Sequence, residues 1–484
     1  MLPKLVLREL DNMHKPAKAG KEEKRNQKLI KREGNEGDAL NMESIHELSA
    51  LAPLPELDLF GVPPTQNSIE RDIYSEHRPI STLNSTSAIT FVIPTPIDEY
   101  LQLRECMLYM KIKINIKKST DVIAADWAKV STTGYLLHSL FKQVEVELNN
   151  KSITSGNPTY GYKAYFDTLL HFSTNAHSSH LTGALWDPNT FTTADEDTIN
   201  NTRNTLITPS TTTKDGRGKS IELMGKLHID LAYQNRALIG GSQLKVTLMP
   251  HSPEFFAMST DNALVPTVEF EAASLYVHRS RVSPLIVSAH ARALTQAPAK
   301  YPYTRREVKA FSISQGSTSA HLDNIVLGVI PRRIFVAMVD NTAFTGNLIK
   351  NPYNFKHNNV NYLALVVDGE QIPSTPYTPD FPNRLITREY MGYMEALNQL
   401  TSDTISGPSK DGWYQQPIFG FNLAPDLSDG VQGSGHVNRI KRGSMRLELR
   451  FSIALMNTTT VLIYCEYDSL LQIDKNREVY LDFK

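Results

Sequence analysis

Two hexapeptides decide how this chain folds: Lys111-Ile112-Lys113-Ile114-Asn115-Ile116 and Arg446-Leu447-Glu448-Leu449-Arg450-Phe451. In both, polar and apolar residues alternate strictly, which is the period of a strand with one buried face and one wet face. Outward from them the same texture recurs in short apolar or β-branched runs bounded by Pro, Gly, Asn and Asp. Before the midpoint these are Ile89–Ile93, Met107–Ile116, Val144–Leu148, Leu244–Met249 and Val268–Val277. Val308–Ile313, Arg333–Val339, Tyr362–Val367, Met445–Ile453 and Thr459–Tyr467 follow. Each predicts a strand of about five to ten residues. Helical periodicity is confined to Tyr162–Phe172, Arg388–Leu400 and Pro284–Thr295. Many short strands with few helices predict a mainly β protein built of sandwiches or barrels, not a wound α/β sheet.

A faint duplication runs through these strands. Val144–Leu148 leads into Asn149-Asn150 and then Lys151-Ser152-Ile153, while Leu363–Val367 leads into Asp368-Gly369 and then Glu370-Gln371-Ile372. Asn-Asn and Asp-Gly both suit a tight hairpin turn with positive φ. A Tyr-bearing helix follows each, with Tyr162 and Tyr165 in one and Tyr390 and Tyr393 in the other. Two similar β domains in tandem, joined near Pro298–Pro302, would produce this pattern. So would two unrelated hairpins that look alike, and the residues alone leave both open.

Composition narrows the function classes. The 484 residues suggest two or three domains, and 40% apolar with 21% charged residues is an ordinary globular mix. Two cysteines, Cys106 and Cys465, exclude a disulfide scaffold or a cysteine-rich zinc module and read as buried small hydrophobes. No apolar run approaches the roughly 18–20 residues needed to span a bilayer. The opening Met1–Arg8 is too short and too charged for a secretory signal.

The net charge of −1 hides a local dipole. Residues 1–36 hold ten Lys/Arg against six acids, whereas 37–60 hold five acids (Asp38, Glu43, Glu47, Glu56 and Asp58) and no Lys or Arg. Lys15–Asp38 carries too little apolar area to offset its ordering entropy, so residues 1–60 are expected to form a flexible charged arm. Its cations Lys15, Lys18, Lys21, Lys24, Arg25, Lys28, Lys31 and Arg32 could face nucleic acid or neighbouring subunits, or simply be solvated. The Pro-punctuated Leu51–Leu57 suits an extended strap lying on another surface.

No motif announces catalysis. Gly216-Arg217-Gly218-Lys219-Ser220 lacks the first glycine of a phosphate-binding loop, which Thr213 replaces, so a solvated loop is expected. His171, His177 and His180 lack zinc spacing, and Asp195-Glu196-Asp197 lacks the ligand order of a calcium loop. Trp127, Trp186 and Trp413 are too scattered for a sugar-stacking platform. No cofactor, metal or catalytic residue is predicted. The polar segments Ser173–Lys219 and Thr401–Gly412 are expected to be exposed towers or subunit contacts.

Blocks of sequence nevertheless carry a resemblance. Phe60-Gly61-Val62-Pro63-Pro64-Thr65-Gln66, Tyr100–Leu103, Leu136–Leu148, Tyr160–Leu170, Phe270–Val277, Arg388–Ala396 and Gln472–Val479 resemble the major capsid protein of Polinton (Maverick) elements and adintoviruses. The resemblance covers roughly residues 60–484 and not the first 55 or so. It implies a double jelly roll, with an arm at 1–60, a first jelly-roll domain at 61–297 and a second at 298–484. It further implies a homotrimeric capsomer of pseudo-hexagonal outline, tiling with neighbouring capsomers and a minor (penton) capsid protein around DNA. Localisation would be the virion, with assembly in the host cell nucleus. The competing classes are a two-domain β-sandwich enzyme acting on carbohydrate and a lectin-like binding module.

Overall fold

The computed structural model describes residues 55–57, 59–118, 127–154, 156–187, 197, 199–209, 216–261, 264–402 and 406–482. Strands of the first half are β1 (Ile69–His77), β2 (Ile89–Pro94), β3 (Glu99–Lys118), β4 (Val130–Thr132), β5 (Phe141–Leu148), β6 (Lys151–Ser152), β7 (Ser220–Lys226), β8 (Gln243–Pro250), β9 (Ala257–Ser259) and β10 (Leu264–Val282). Those of the second half are β11 (Ala299–Ile313), β12 (Ser319–Val329), β13 (Arg333–Asp340), β14 (Val360–Val367), β15 (Glu370–Tyr377), β16 (Phe419–Asn422), β17 (Arg442–Phe451), β18 (Thr459–Ile473) and β19 (Val479–Leu481). Three longer helices are α1 (Tyr160–His171), α2 (Pro284–Gln296) and α3 (Thr387–Ala396).

The pairing is the same twice over. The first half orders its strands β1-β10-β3-β7 and β2-β8-β5-β6; the second orders them β11-β18-β13-β16 and β12-β17-β14-β15. Set aside the short pair β4 and β9 and the terminal β19. Every position then has a counterpart: β1 with β11, β2 with β12, β3 with β13, β5 with β14, β6 with β15, β7 with β16, β8 with β17 and β10 with β18. In each half the first strand lies beside the last and the second beside the penultimate, which is the pairing of an eight-stranded jelly roll. Helix α1 follows β6 where α3 follows β15, and α2 joins the halves. The hairpins with Asn149-Asn150 and Asp368-Gly369 occupy equivalent corners, and all four turn residues have positive φ.

The alternation read from sequence decides which face is buried. Ile112, Ile114 and Ile116 point inward while Lys113 and Lys111 face outward, where they pair with Glu271 at 2.7 and 3.4 Å. Leu447, Leu449 and Phe451 do the same on β17. Phe141 of one sheet stacks on Phe270 of the other in the first half, and Tyr377 meets Phe421 between the sheets of the second. Strands β3 and β10 run 20 and 19 residues, twice the expected length, and their ladder shifts register at Phe270/Ala272 and Tyr276/His278. No helix among the described residues is long and apolar enough to cross a membrane.

Residues 1–67 form a separate unit from Ser68–Lys484. Within it Leu57, Leu59, Phe60 and Val62 are exposed. The cations Lys15, Lys18, Lys21, Lys24, Arg25, Lys28, Lys31 and Arg32 lie outside the described residues.

Candidate functional site

The helix α1 is the wedge between the halves. Its sequence, Tyr160–His171, is apolar on nearly every face, as a helix packed on all sides must be. Tyr165 stacks on Tyr353 at 4.3 Å between ring centroids, and Phe166 stacks on Phe355 at 5.4 Å. One buried acid interrupts this apolar surface, Asp167.

Around Asp167 the two halves meet in a buried ionic cluster. On the first-half side, Lys163 lies 3.6 Å from Asp167 and 2.7 Å from Asp230, and His228 Nδ1 lies 3.2 Å from Asp167 Oδ2. The carboxylate needs a donor, which places the imidazole proton on Nδ1, and Nε2 then accepts from the Tyr135 hydroxyl at 2.6 Å. From the second half, Arg306 of β11 reaches Asp167 at 3.7 Å and Glu466 of β18 at 3.5 Å. The Tyr464 hydroxyl donates to Asp167 Oδ1 at 2.6 Å. His171, at the end of α1, lies 2.7 Å from Glu466, while Arg332 and Arg333 approach the same carboxylate at 3.0 and 3.6 Å. Arg333 also pairs with Asp429, and Arg332 with Asp468 at 3.5 Å. Asp167, Glu466 and Arg306 are at most 2% exposed, so these charges persist only because they neutralise one another.

The electrostatics follow. Burial pushes the Asp167 carboxyl upward, but Lys163, Arg306 and the His228 hydrogen bond outweigh it and hold the group well below the usual carboxylate range. Glu466 behaves alike, with burial opposed by His171, Arg333 and Arg332. His228 is shifted down chiefly by burial, against the pull of Asp167. Both carboxylates are therefore committed anions, unsuited to pass protons as a general acid or base. The adjoining polar cavity, lined by Lys163, His228, Asp230 and Arg306, is about 30 Å³, room for water rather than a sugar.

Other sequence-flagged residues separate. His171 joins the cluster, His177 Nε2 lies 3.2 Å from the Thr168 carbonyl, and His180 is exposed. Among the described residues no group of three potential ligands could hold a metal. Asp195 and Glu196 lie outside the described residues, and Asp197 pairs with Lys356 at 3.1 Å. Residues 216–219 form the expected loop, but it is not solvated throughout. Gly216 and Gly218 are buried on β3, and a Cβ at position 218 would stand 2.0 Å from the Ile114 carbonyl oxygen. The glycines serve close approach to a strand, and Arg217 and Lys219 are exposed. The expected tower Ser173–Lys219 also buries Leu181, Trp186, Arg203 and Ile207, and Thr401–Gly412 buries Ser406. All three tryptophans are core residues, and Cys465 is buried while Cys106 is half-buried.

None of Asp167, His228, Arg306, Arg332, Arg333 or Glu466 was picked out by sequence reasoning. A signal was present. Glu466 interrupts the apolar Val461-Leu462-Ile463-Tyr464-Cys465, and Asp167 sits inside Tyr165-Phe166-Asp167-Thr168-Leu169-Leu170. A charge at a core position demands a buried partner.

Solved structures share the fold over nearly the whole chain. A chain of the Sputnik virophage structure matches with a TM-score of 0.59 at 13% identity, covering 91% of this chain and 94% of that one. The mavirus major capsid protein matches with a TM-score of 0.51 at 12% identity, covering 91% and 97%. The fold is the double jelly roll of viral major capsid proteins. The Faustovirus major capsid protein shares the double jelly roll at a TM-score of 0.50 and 10% identity, over 86% of this chain and 92% of that one. An uncharacterized protein of Caenorhabditis elegans is 22% identical over 433 residues, 87% of this chain and 99% of that protein. No protein-family model matches the sequence. In a double jelly roll the ionic cluster lies at the seam between the rolls, the place where a shift of one roll against the other would have to break it.

Proposed function

We propose that the protein is a viral major capsid protein that assembles as homotrimeric, pseudo-hexagonal capsomers into an icosahedral shell around DNA. The observation that carries this reading is the duplicated jelly-roll pairing, shared with capsid proteins along nine-tenths of the chain. On this reading residues 61–297 and 298–484 are the two upright rolls. Residues 1–60 are an arm whose eight cations reach neighbouring capsomers or the packaged DNA. A minor penton protein closes the vertices. The buried seam supports a structural rather than enzymatic role: its charges are spent on rigidity, and a shell wall must keep its two rolls fixed while lateral contacts carry load. Near-neutral charge lets like subunits approach without strong repulsion. On the resemblance to Polinton and adintovirus capsid proteins, assembly takes place in the nucleus and the virion is the destination.

Size-exclusion chromatography with light scattering, followed by negative-stain imaging, tests the proposal. Trimers with hexagonal outline, or closed shells, are expected. A monomer at every concentration refutes the capsid reading.

A further inference from the structure

A stretch running from the loop after β16 into β17 presents apolar side chains and cations together. Val437 and Ile440 are 55% and 56% exposed, and Leu327, which faces Ser444 across the β12–β17 ladder, is 76% exposed. Arg439, Lys441 and Arg442 lie among them, all exposed, and none of the three makes an ion pair among the described residues. The nearby carboxylates are engaged elsewhere: Asp368 accepts from the Ser444 backbone N–H at 2.8 Å, and Asp426 pairs with His436 at 2.7 Å.

The loop that offers this patch is held in shape from within. Asn438 Nδ2 donates to Asp426 Oδ1 and to Ser428 Oγ, both at 3.0 Å, while Asp426 accepts the Ser428 backbone N–H at 3.1 Å. Asp429 anchors the same loop to Arg333. Exposed apolar groups on a loop fixed by its own polar clasp lose little entropy when a partner covers them. They are placed to bind.

The chain also contains a segment of matching chemistry. Residues 37–60 carry five acids and no Lys or Arg, and Leu51, Leu54, Leu57, Leu59, Phe60 and Val62 are spaced among Pro53, Pro55 and Pro63. Pro55–Leu57 forms a single 3₁₀ turn, and the described residues that follow it up to Asn67 belong to no strand or helix. Leu57, Leu59, Phe60 and Val62 are 69% to 97% exposed, a run of apolar surface that water disfavours.

We infer that the acidic, leucine-bearing segment 37–62 of one copy docks on the patch of Leu327, Val437, Arg439, Ile440, Lys441 and Arg442 on a second copy. Charge complementarity selects the occupant: an unpaired basic patch meets an acidic stretch free of cations, and leucines meet exposed aliphatics. Because segment and patch are different surfaces of one chain, the contact is heterologous, and such contacts close into rings when the rotation permits. The inference rests on the assembly reading and deepens it by naming the joint.

The test mixes full-length chains of natural and ¹⁵N isotope content as dissociated protein, allows association, and applies a zero-length carbodiimide cross-linker. Cross-links from Glu43, Glu47, Glu56 or Asp58 to Lys441 are expected, about half of them isotopically mixed. Same-isotope links alone would place the segment on its own chain, and absence of links to Lys441 would remove the contact; either overturns the inference. In the full chain, Lys441→Glu with Arg442→Glu should weaken association about tenfold. Adding Glu47→Lys with Glu56→Lys should restore it. Unchanged association in the first pair overturns the joint and leaves the capsid reading standing. No association in the unaltered protein overturns the capsid reading itself. Circular dichroism establishes that each variant is folded, and where one is not, the cross-links in the unaltered chain decide.

Discussion

Replacing Glu466 by Gln removes one charge and almost no volume, so it isolates what the seam contributes. In the native cluster the Glu466 carboxylate faces Arg332 at 3.0 Å, Arg306 at 3.5 Å and Arg333 at 3.6 Å, with His171 at 2.7 Å. At an effective dielectric of about 20, each such pair is worth about 5 kcal/mol gross. Desolvation of four buried ions and repulsion among the arginines offset most of that sum. Removing one partner is a different matter, because Arg306, Arg332 and Arg333 are then left with Asp167, Asp468 and Asp429 alone, and one buried positive charge loses its compensation. That costs about 3–5 kcal/mol, and the amide adds a donor facing other donors. For a unit as large as Ser68–Lys484 this lowers Tm by about 5 °C. The pH dependence gives a second readout. Glu466 has a folded-state pKa far below its ordinary 4.5, so its contribution is full above that value and is lost as pH falls toward the folded value. Glu466→Gln should lose that component and show a flatter Tm profile below about pH 4.5 than the unaltered protein. Differential scanning calorimetry from pH 3 to 7 measures both. A Tm within 1 °C of the unaltered protein at pH 7, with the acid limb unchanged, refutes the idea that the seam is an ionic lock.

Three further outcomes follow from the geometry. Tyr165→Ala removes the ring stacked on Tyr353 across the seam and should cost about 3–5 kcal/mol in urea unfolding; a loss below 1 kcal/mol would show the stack to be incidental. Gly218→Ala places a methyl 2.0 Å from the Ile114 carbonyl oxygen and should destabilise by about 1–3 kcal/mol as β3 shifts, whereas a neutral result would mean this segment leaves the strand freely. Burial pushes the Cys106 thiol up to about 11 and Cys465 up to about 12, so iodoacetamide at pH 8 should label both far more slowly in folded than in urea-unfolded protein, as followed by mass spectrometry.

The fold was legible where local physics dominates. Strict alternation at Lys111–Ile116 and Arg446–Phe451 marked half-buried strands, and the positive-φ pairs Asn149-Asn150 and Asp368-Gly369 marked hairpins that the structure places at equivalent corners. The three helical stretches also fell within a few residues of α1, α2 and α3. Strands without a clear pattern were missed. Ile69–His77 is an edge strand dominated by charge, as exposed edges often are, and Ser319–Val329 carries Asp323-Asn324 at a bulge that hides its alternation. The seam was illegible for a deeper reason. Its members come from α1, the segment before Tyr233, β11, β13 and β18, and only the folded topology brings them together. Polarity misled at Ser173–Lys219 because Arg203, buried with its Nη1 on the Thr132 carbonyl, counts as a surface residue until its partners are known.

The duplication explains why that seam needs charges at all. Two jelly rolls of the same pairing each bury their own apolar faces and could drift against one another if only dispersion joined them, since apolar contact is nondirectional. The aromatic stacks of α1 supply area, while Arg306 bridging Asp167 of one roll and Glu466 of the other supplies direction, because the pairs are satisfied only in one register. Replacing Asp167, Arg306 and Glu466 together by Asn, Met and Gln removes the bridge across the seam, while Arg332, Arg333 and Lys163 keep Asp468, Asp429 and Asp230. The triple variant should let the rolls sample more than one relative placement. Amide exchange at β11 and β18 measures this effect separately from Tm. Faster exchange there at near-native Tm would identify the cluster as a device for geometry, and unchanged exchange would assign the register to α1 and its stacked rings.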